Sequence, residues 1–261
     1  MGIGDIFNVL LINPTFNILL VFIFLLTSWG IPGSLGWAII ALTSLFRTAF
    51  NPMYKKQAEM AAHMEELRPK IEELQKKYKD KPQKLQEAQM KLYKDRGINP
   101  ASGCLIALIQ LPVILALYRV LLHFFELKGA ELTTFLDSIA YVDFLKGLTI
   151  DPWFLGFNLA ATPSQYQEFG VYYLALPLLT AVLQYFQITM TQPKPVEKTA
   201  EQKAADKKAG KDESFQAVFQ KQMKIMFPIM IAYFSYILPV GLALYWNVFS
   251  LISILQVKNK K

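Results

Sequence analysis

Residues 36–52 read GWAIIALTSLFRTAFNP, an apolar run that carries one arginine, Arg47, and ends in Asn51-Pro52. Read as a membrane span, the run must tolerate that arginine, and a central Arg costs roughly 2.5 to 3.5 kcal/mol on insertion scales. Two readings of it stand. In the first Arg47 snorkels, because Lys55 lies eight residues on and the interface is then about 12 Å of helix away. In the second it faces a polar interior: Thr43, Arg47 and Asn51 are four apart and Ser44 is three before Arg47, so one helical face is polar over two turns.

Working outward, the composition supports a membrane setting. Only 18% of the 261 residues are charged and 53% are hydrophobic, whereas an ordinary soluble domain carries about 25% charged residues. That excludes a routine soluble enzyme and a disordered scaffold. Besides 36–53, apolar stretches fall within 100–125, 170–191 and 222–257, the last holding two, at 222–237 and 240–257. Pro239-Val240-Gly241 joins those two so tightly that they must be antiparallel. The expectation is an all-α membrane protein, a bundle of five transmembrane helices. The N-terminal segment 1–35 contains a shorter apolar run, 15–29, flanked by Pro14 and by Gly30, Pro32 and Gly33 and almost wholly apolar from Ile18 to Leu26. It predicts a helix lying in or dipping into the interface, with a short extra span as the alternative.

The charges sort by side. Residues 54–99 hold 12 Lys+Arg against 8 Asp+Glu, and 192–221 hold 7 Lys against 5 acids. The loop 126–169 holds Lys128 and Lys146 against six acids, and the tail 258–261 adds Lys258, Lys260 and Lys261. Basic and acidic segments alternate as an odd number of spans requires, so 54–99, 192–221 and the C-terminus are expected in the cytoplasm and 126–169 outside. The net charge of +7 is thus a basic side, an acidic side and one arginine in the membrane, with no DNA footprint.

Segment 54–99 has its own pattern. Met60, Met64, Leu67, Ile71, Leu74 and Tyr78 form a helical stripe, Asp80-Lys81-Pro82 breaks it, and Leu85, Ala88 and Leu92 resume it until Gly97 and Asn99-Pro100. An antiparallel helical hairpin is expected, kinked or restarted at Pro69. Residues 194–213 are low in complexity and read as a linker. The basic hairpin and tail could touch anionic lipid or the ribosome.

The third apolar stretch repeats the polar device with Thr180, Gln184, Gln187 and Thr191, and the fifth offers Asn247, Ser250 and Ser253 beside Tyr245 and Trp246. One such stripe reads as helix–helix glue. Three of them around an arginine with no acidic residue in any span read as a hydrated cavity that receives an anionic partner from outside the protein. Arg119 and His123 mark the outer end of the second span and read as interfacial. No serine–histidine–acid set, carboxylate pair or phosphate loop is present, and Cys104 with two histidines makes no zinc site. No enzyme activity, cofactor or metal is expected.

Several motifs resemble the YidC family of membrane protein insertases. LRPKIEELQKKY, a turn and MKLYKDRGINP resemble that family's hairpin and its exit; Gly103, Cys104, Gln110 and Pro112 resemble the motif of its next span; Pro239, Gly241, Leu242, Leu244, Tyr245 and Trp246 resemble that of its last. The likeness covers about residues 12–257. It implies a polar groove open to cytoplasm and lipid and closed to the outside, holding Arg47 and Thr43, with Ser44 and Asn51 beside them, Gln187 or Gln184, Tyr245 and Trp246. It also implies an apolar slide at Leu111 and Ile114. The implied function is insertion and folding of nascent membrane-protein clients in the bacterial inner membrane, with ribosome and secretory translocon as further partners. The rival readings are a small transporter or channel for an anionic solute and a structural assembly factor. Against the resemblance, no long C-terminal extension, large periplasmic domain or lipid-modified cysteine is evident, and the outer loop has no assigned role.

Overall fold

The computed structural model describes residue 5 and residues 8–78, 81–97, 112–119, 121–123, 127, 130–191 and 215–258. Its first helix is longer than the apolar core implies. A π-helical turn, Asn8–Ile12, runs straight into α1 (Asn13–Ser28), whose first turn contains Pro14. A proline there lacks only an N–H that would have no partner in any case. What reads as a break in the sequence is therefore a helix start. The joined helix, Asn8–Ser28, has 21 residues and is long and apolar enough to cross a membrane. Its exposed face carries Val9, Leu10, Leu11 and Leu25, whereas a helix built to lie in an interface carries a polar face. The length argument for an interfacial helix is thereby removed.

The chain turns through Gly30 and Gly33, both at positive φ, and α2 (Ser34–Ala49) packs back on α1. Leu35, Ala38, Ile39 and Leu42 meet Phe16, Leu19, Leu20 and Ile23 in the main core. Only Phe50 separates α2 from α3 (Asn51–Lys77), which runs on through Pro69 without ending there. Pro82 opens α4 (Pro82–Asp95). Leu67 and Ile71 on α3 bury against Tyr93 and Leu92 on α4, so the hairpin has a small core of its own. Two other stripe residues, Met60 and Met64, have side chains outside the described set, as does Asp80 in the turn.

Beyond residues 98–111, which lie outside the described set together with Gly103, Cys104, Gln110 and Leu111, comes α5 (Pro112–His123). The acidic loop that follows is a packed cap. It contains α6 (Ala130–Ile139), a 3-10 turn at Asp143–Leu145, a two-residue antiparallel ladder of β1 (Trp153–Phe154) with β2 (Phe157–Asn158), and the short α7 (Tyr166–Phe169). Leu136, Leu145, Phe154 and Leu159 bury into the main core. The ring of Phe154 lies on bare backbone at Gly36, where an added Cβ would come within 2.1 Å of it. Asn17 fastens α1 to the cap: its Nδ2 donates to the Ile139 carbonyl at 2.8 Å and its Oδ1 accepts from the Tyr141 N–H at 2.7 Å.

Three helices complete the bundle: α8 (Ala175–Thr191), α9 (Phe215–Ile237) and α10 (Val240–Lys258). α8 packs against both α9 and α10, and α10 packs against α2. The motif at the head of α10 has a structural reason. Helix N-termini leave N–H groups without partners, and here Val240 donates to Ala161 at 2.9 Å and Gly241 to Leu159 at 2.8 Å, both in the cap. A Cβ on Gly241 would lie 2.6 Å from Leu121, so glycine lets α10 approach α5.

The molecule is mostly helical, but the expected five-span count does not emerge. Among the described residues three helices reach spanning length and apolarity: Asn8–Ser28, Val171–Met190 and Val240–Val257. Three expected spans are present as shorter apolar helices, Ser34–Ala49, Pro112–His123 and Lys224–Ile237. The reasons differ. The helix carrying Arg47 continues into the polar α3, the residues that would lengthen α5 lie outside the described set, and the first half of α9 carries Gln216, Gln220, Lys221, Gln222 and Lys224. Residues 192–214, most of the expected linker, and 259–261 are likewise outside the description.

Candidate functional site

Arg47 occupies the last turn of α2 and is only 6% exposed. Its guanidinium carbon lies 3.7 Å from the centre of the Tyr54 ring and 4.7 Å from that of Phe249. Tyr54 is seven residues on, two helical turns, and reaches Arg47 because α2 and α3 are broken only at Phe50. Tyr245 and Phe249 are four apart on α10, so both project from one face. Phe46 and Phe50 stack with ring centres 5.9 Å apart, and Tyr54 meets Phe249 edge-on at 6.1 Å. These side chains, with Thr43 and Val113, enclose a cavity of about 10 Å³. That is room for about one water molecule.

The sequence predicts a hydrated cavity around this charge; in the structure its immediate surroundings are an aromatic box. Rings attract a cation by roughly 2 kcal/mol when it is desolvated. Burying a charge costs several kcal/mol, so the rings offset only part of that penalty. The Arg47 Nε is buried without a hydrogen-bond partner. Among the described residues no carboxylate forms an ion pair with Arg47. The polar neighbours on its own helix do not compensate it. Thr43 Oγ1 donates to the Ile39 carbonyl at 2.6 Å and Ser44 Oγ to the Ile40 carbonyl at 2.7 Å. Asn51 opens α3 and does not line the cavity.

The other polar stripes lie elsewhere. Thr180 and Ser235 pair at 3.2 Å in a fully buried contact between α8 and α9. Ser250 donates to Gln187 Oε1 at 2.8 Å, joining α10 to α8, while Gln184 is buried in the same helix. Asn247 is buried with an unpartnered Oδ1, but it sits two residues from both Tyr245 and Phe249, so it projects about 200° round the helix from the first of them. Trp246 is buried in the main core and does not line the Arg47 cavity. Ile114 is half-buried against that core.

Of the predicted site residues, the structure therefore brings together Arg47, Thr43 and Tyr245. It adds Tyr54, Phe249, Phe46 and Phe50, to which the sequence analysis assigns no role. The signal for Tyr54 was available as the seven-residue spacing from Arg47, and that for Phe249 as its place one turn beyond Tyr245. No group of three or more His, Cys, Asp or Glu residues that could hold a metal occurs among the described residues.

Comparison with known proteins gives a consistent answer. The sequence model of the family described as "60Kd inner membrane protein" matches residues 26–259. A protein of Polynucleobacter asymbioticus named "Membrane protein insertase YidC" is 33% identical over 229 residues, 87% of this chain and 32% of that protein. A protein of the same name from Pseudoalteromonas atlantica is 30% identical over 242 residues, 91% of this chain and 35% of that protein. Among solved structures, "Active YidC insertase crystal structure with the first transmembrane domain resolved" aligns with TM-score 0.56 and 27% identity over 95% of this chain and 46% of that one. The chain spans about a third of the length of the curated relatives it matches.

Proposed function

This chain belongs to the 60Kd inner membrane protein family, whose curated relatives here are YidC insertases, and we propose that it inserts client membrane proteins and helps them fold. The observation that carries the reading is the buried Arg47, held by rings and by no carboxylate among the described residues. A cation left partly uncompensated at the end of a short apolar helix is a receptor for acid, and the acid comes from the client. Acidic groups on an incoming tail displace Tyr54 and Phe249 and pair with Arg47, in a setting where Coulomb attraction is far stronger than in water. The dry box is then the resting state, and the hydrated groove is the state opened by the client.

Insertion needs no chemical catalysis or bound cofactor. Pulling the tail part of the way shortens the apolar distance it must cross. Release of the client's apolar helix past Ile114 and Leu111 into lipid supplies the driving force, about 0.8 kcal/mol per buried CH₂. The hairpin α3–α4 recruits or gates clients from the cytoplasm, and its own small core allows it to move as a unit. The basic hairpin and tail contact anionic lipid or the ribosome, and the secretory translocon is a further partner.

The test is reconstitution of the full chain in vesicles with an in vitro translated single-span client bearing an acidic N-tail, scored by protease protection. Arg47→Ala is expected to lose most insertion and Arg47→Lys to keep part of it. Wild-type insertion by Arg47→Ala removes the electrostatic role. Solute flux without insertion would point instead to an anion pathway.

A further inference from the structure

A second arginine sits in a different kind of place. Ile12, Asn13 and Phe16 at the start of α1, Arg119 and His123 on α5, and Phe135 and Ile139 on α6 line a cavity of about 370 Å³. Cavities of roughly 300 to 1,000 Å³ hold small ligands. The walls are apolar: Ile12 and Phe16 are buried, and Phe135 packs edge-on against Phe16 with ring centres 6.4 Å apart. Its polar lining residues are Arg119 and His123, one turn apart on α5, and Asn13 at the start of α1. Arg119 is exposed, and among the described residues no carboxylate pairs with it.

His123 is held in place from two sides. Its ring stacks on Phe135 with centres 3.7 Å apart and an 8° interplanar angle, and its Nδ1 lies 2.6 Å from the Arg119 carbonyl. A carbonyl only accepts, so Nδ1 carries the proton and Nε2 is the nitrogen left for another partner. The π-helical turn that leads into α1 exposes Val9, Leu10 and Leu11, which are 49%, 66% and 41% accessible. In a membrane protein that surface meets acyl chains, so the cavity adjoins lipid.

We propose that this cavity binds an anionic phospholipid, with an acyl chain between Phe16, Phe135 and Ile139 and the phosphate on Arg119 beside His123. The charge at the rim selects an anion, and the apolar interior requires a long hydrocarbon attached to it. A free anion would use Arg119 and leave the rest of the cavity unfilled. The lipid ties α1, α5 and the cap together at the end of the molecule away from the hairpin. It does so independently of whether Arg47 engages clients.

The experiment is native mass spectrometry of the full chain in detergent, titrated with phosphatidylglycerol, with phosphatidylcholine, or with phosphatidylglycerol plus excess inorganic phosphate. Phosphatidylglycerol adducts are expected at lower lipid concentration than phosphatidylcholine adducts, and inorganic phosphate is expected not to displace them. Arg119→Gln, an exposed change, should weaken phosphatidylglycerol by about tenfold, the value of one charge-assisted contact. Ile139→Trp, which fills the cavity, should abolish the tight adduct of both lipids while thermal unfolding stays cooperative. If Ile139→Trp fails to fold, Arg119→Gln decides alone. Equal binding of the two lipids, unchanged phosphatidylglycerol binding in Arg119→Gln, or displacement by inorganic phosphate would each overturn the proposal.

Discussion

The Arg47 box and the seam where α8 meets α9 and α10 are built from residues that look alike on a helical wheel, and they differ in one respect. Along the seam two polar pairs join neighbouring helices: Thr180 with Ser235, and Ser250 with Gln187. In the box the charge faces aromatic rings, and its Nε has no partner. Thr180, Ser235, Ser250 and Gln187 are satisfied within the bundle and so glue helices together, while Asn247 Oδ1 on α10 is a buried exception. On the proposed function, the box is incomplete within the bundle and has interaction energy left for a client. What separates a functional polar group from a structural one in hydrocarbon is whether the protein itself satisfies it.

The sharpest way to break this comparison is to remove the charge and keep the volume. Arg47→Met should cut insertion of a client with an acidic tail by about tenfold or more, the loss expected for one contact to a charged group. Its unfolding temperature in detergent should hold or rise, because replacing a poorly compensated buried charge by an apolar side chain is often neutral or stabilising by about 1–4 kcal/mol. A variant that unfolds much earlier would show that Arg47 belongs with the seam as structural glue. The next effect is on access. In a Cys104→Ala background, Thr43→Cys lies in a box that is nearly closed and should react slowly with a water-soluble thiol reagent. Adding Tyr54→Ala removes a cation–π contact of about 1–2 kcal/mol, which is roughly a five- to thirty-fold change in an opening equilibrium. Labelling should accelerate by that order, and no acceleration would mean that Tyr54 is no lid.

Much of the fold was legible because its signals are local. The hairpin stripe found Leu67 and Ile71, Pro82 marked the start of α4, and Pro239-Val240-Gly241 marked the turn before α10. The run 15–29 matches α1 closely, but the π-helical turn before it was not legible, because Pro14 reads as a breaker in a list of residues and as a first-turn residue only once that turn is seen. The box was half legible. Arg47 and Thr43 share a helical face, and that is a matter of spacing. Which rings cover Arg47 depends on how α10 crosses α2, and no periodicity encodes a crossing. For the same reason three polar stripes in the sequence read as converging, since spacing defines a stripe but does not say which neighbour it faces.

The smallest expected effects lie in the seam, and they test the other half of the comparison. Gln187→Leu removes the acceptor of Ser250 and should destabilise by about 0.6 kcal/mol, with roughly 1.7 kcal/mol as the upper end for such a bond in a membrane helix bundle. Insertion activity should not change. For Thr180 and Ser235 a double-mutant cycle is the cleaner measurement, because Thr180 also donates to the Leu176 carbonyl at 2.9 Å. Thr180→Val and Ser235→Ala each lose their own local terms, and only the coupling energy reports the contact between helices. That coupling should be about 0.6 kcal/mol, measured by unfolding in detergent. A coupling near zero would mean that Thr180 is already satisfied by its own helix. Ser235 would then be the incomplete group, and the seam would resemble the box more than it now does.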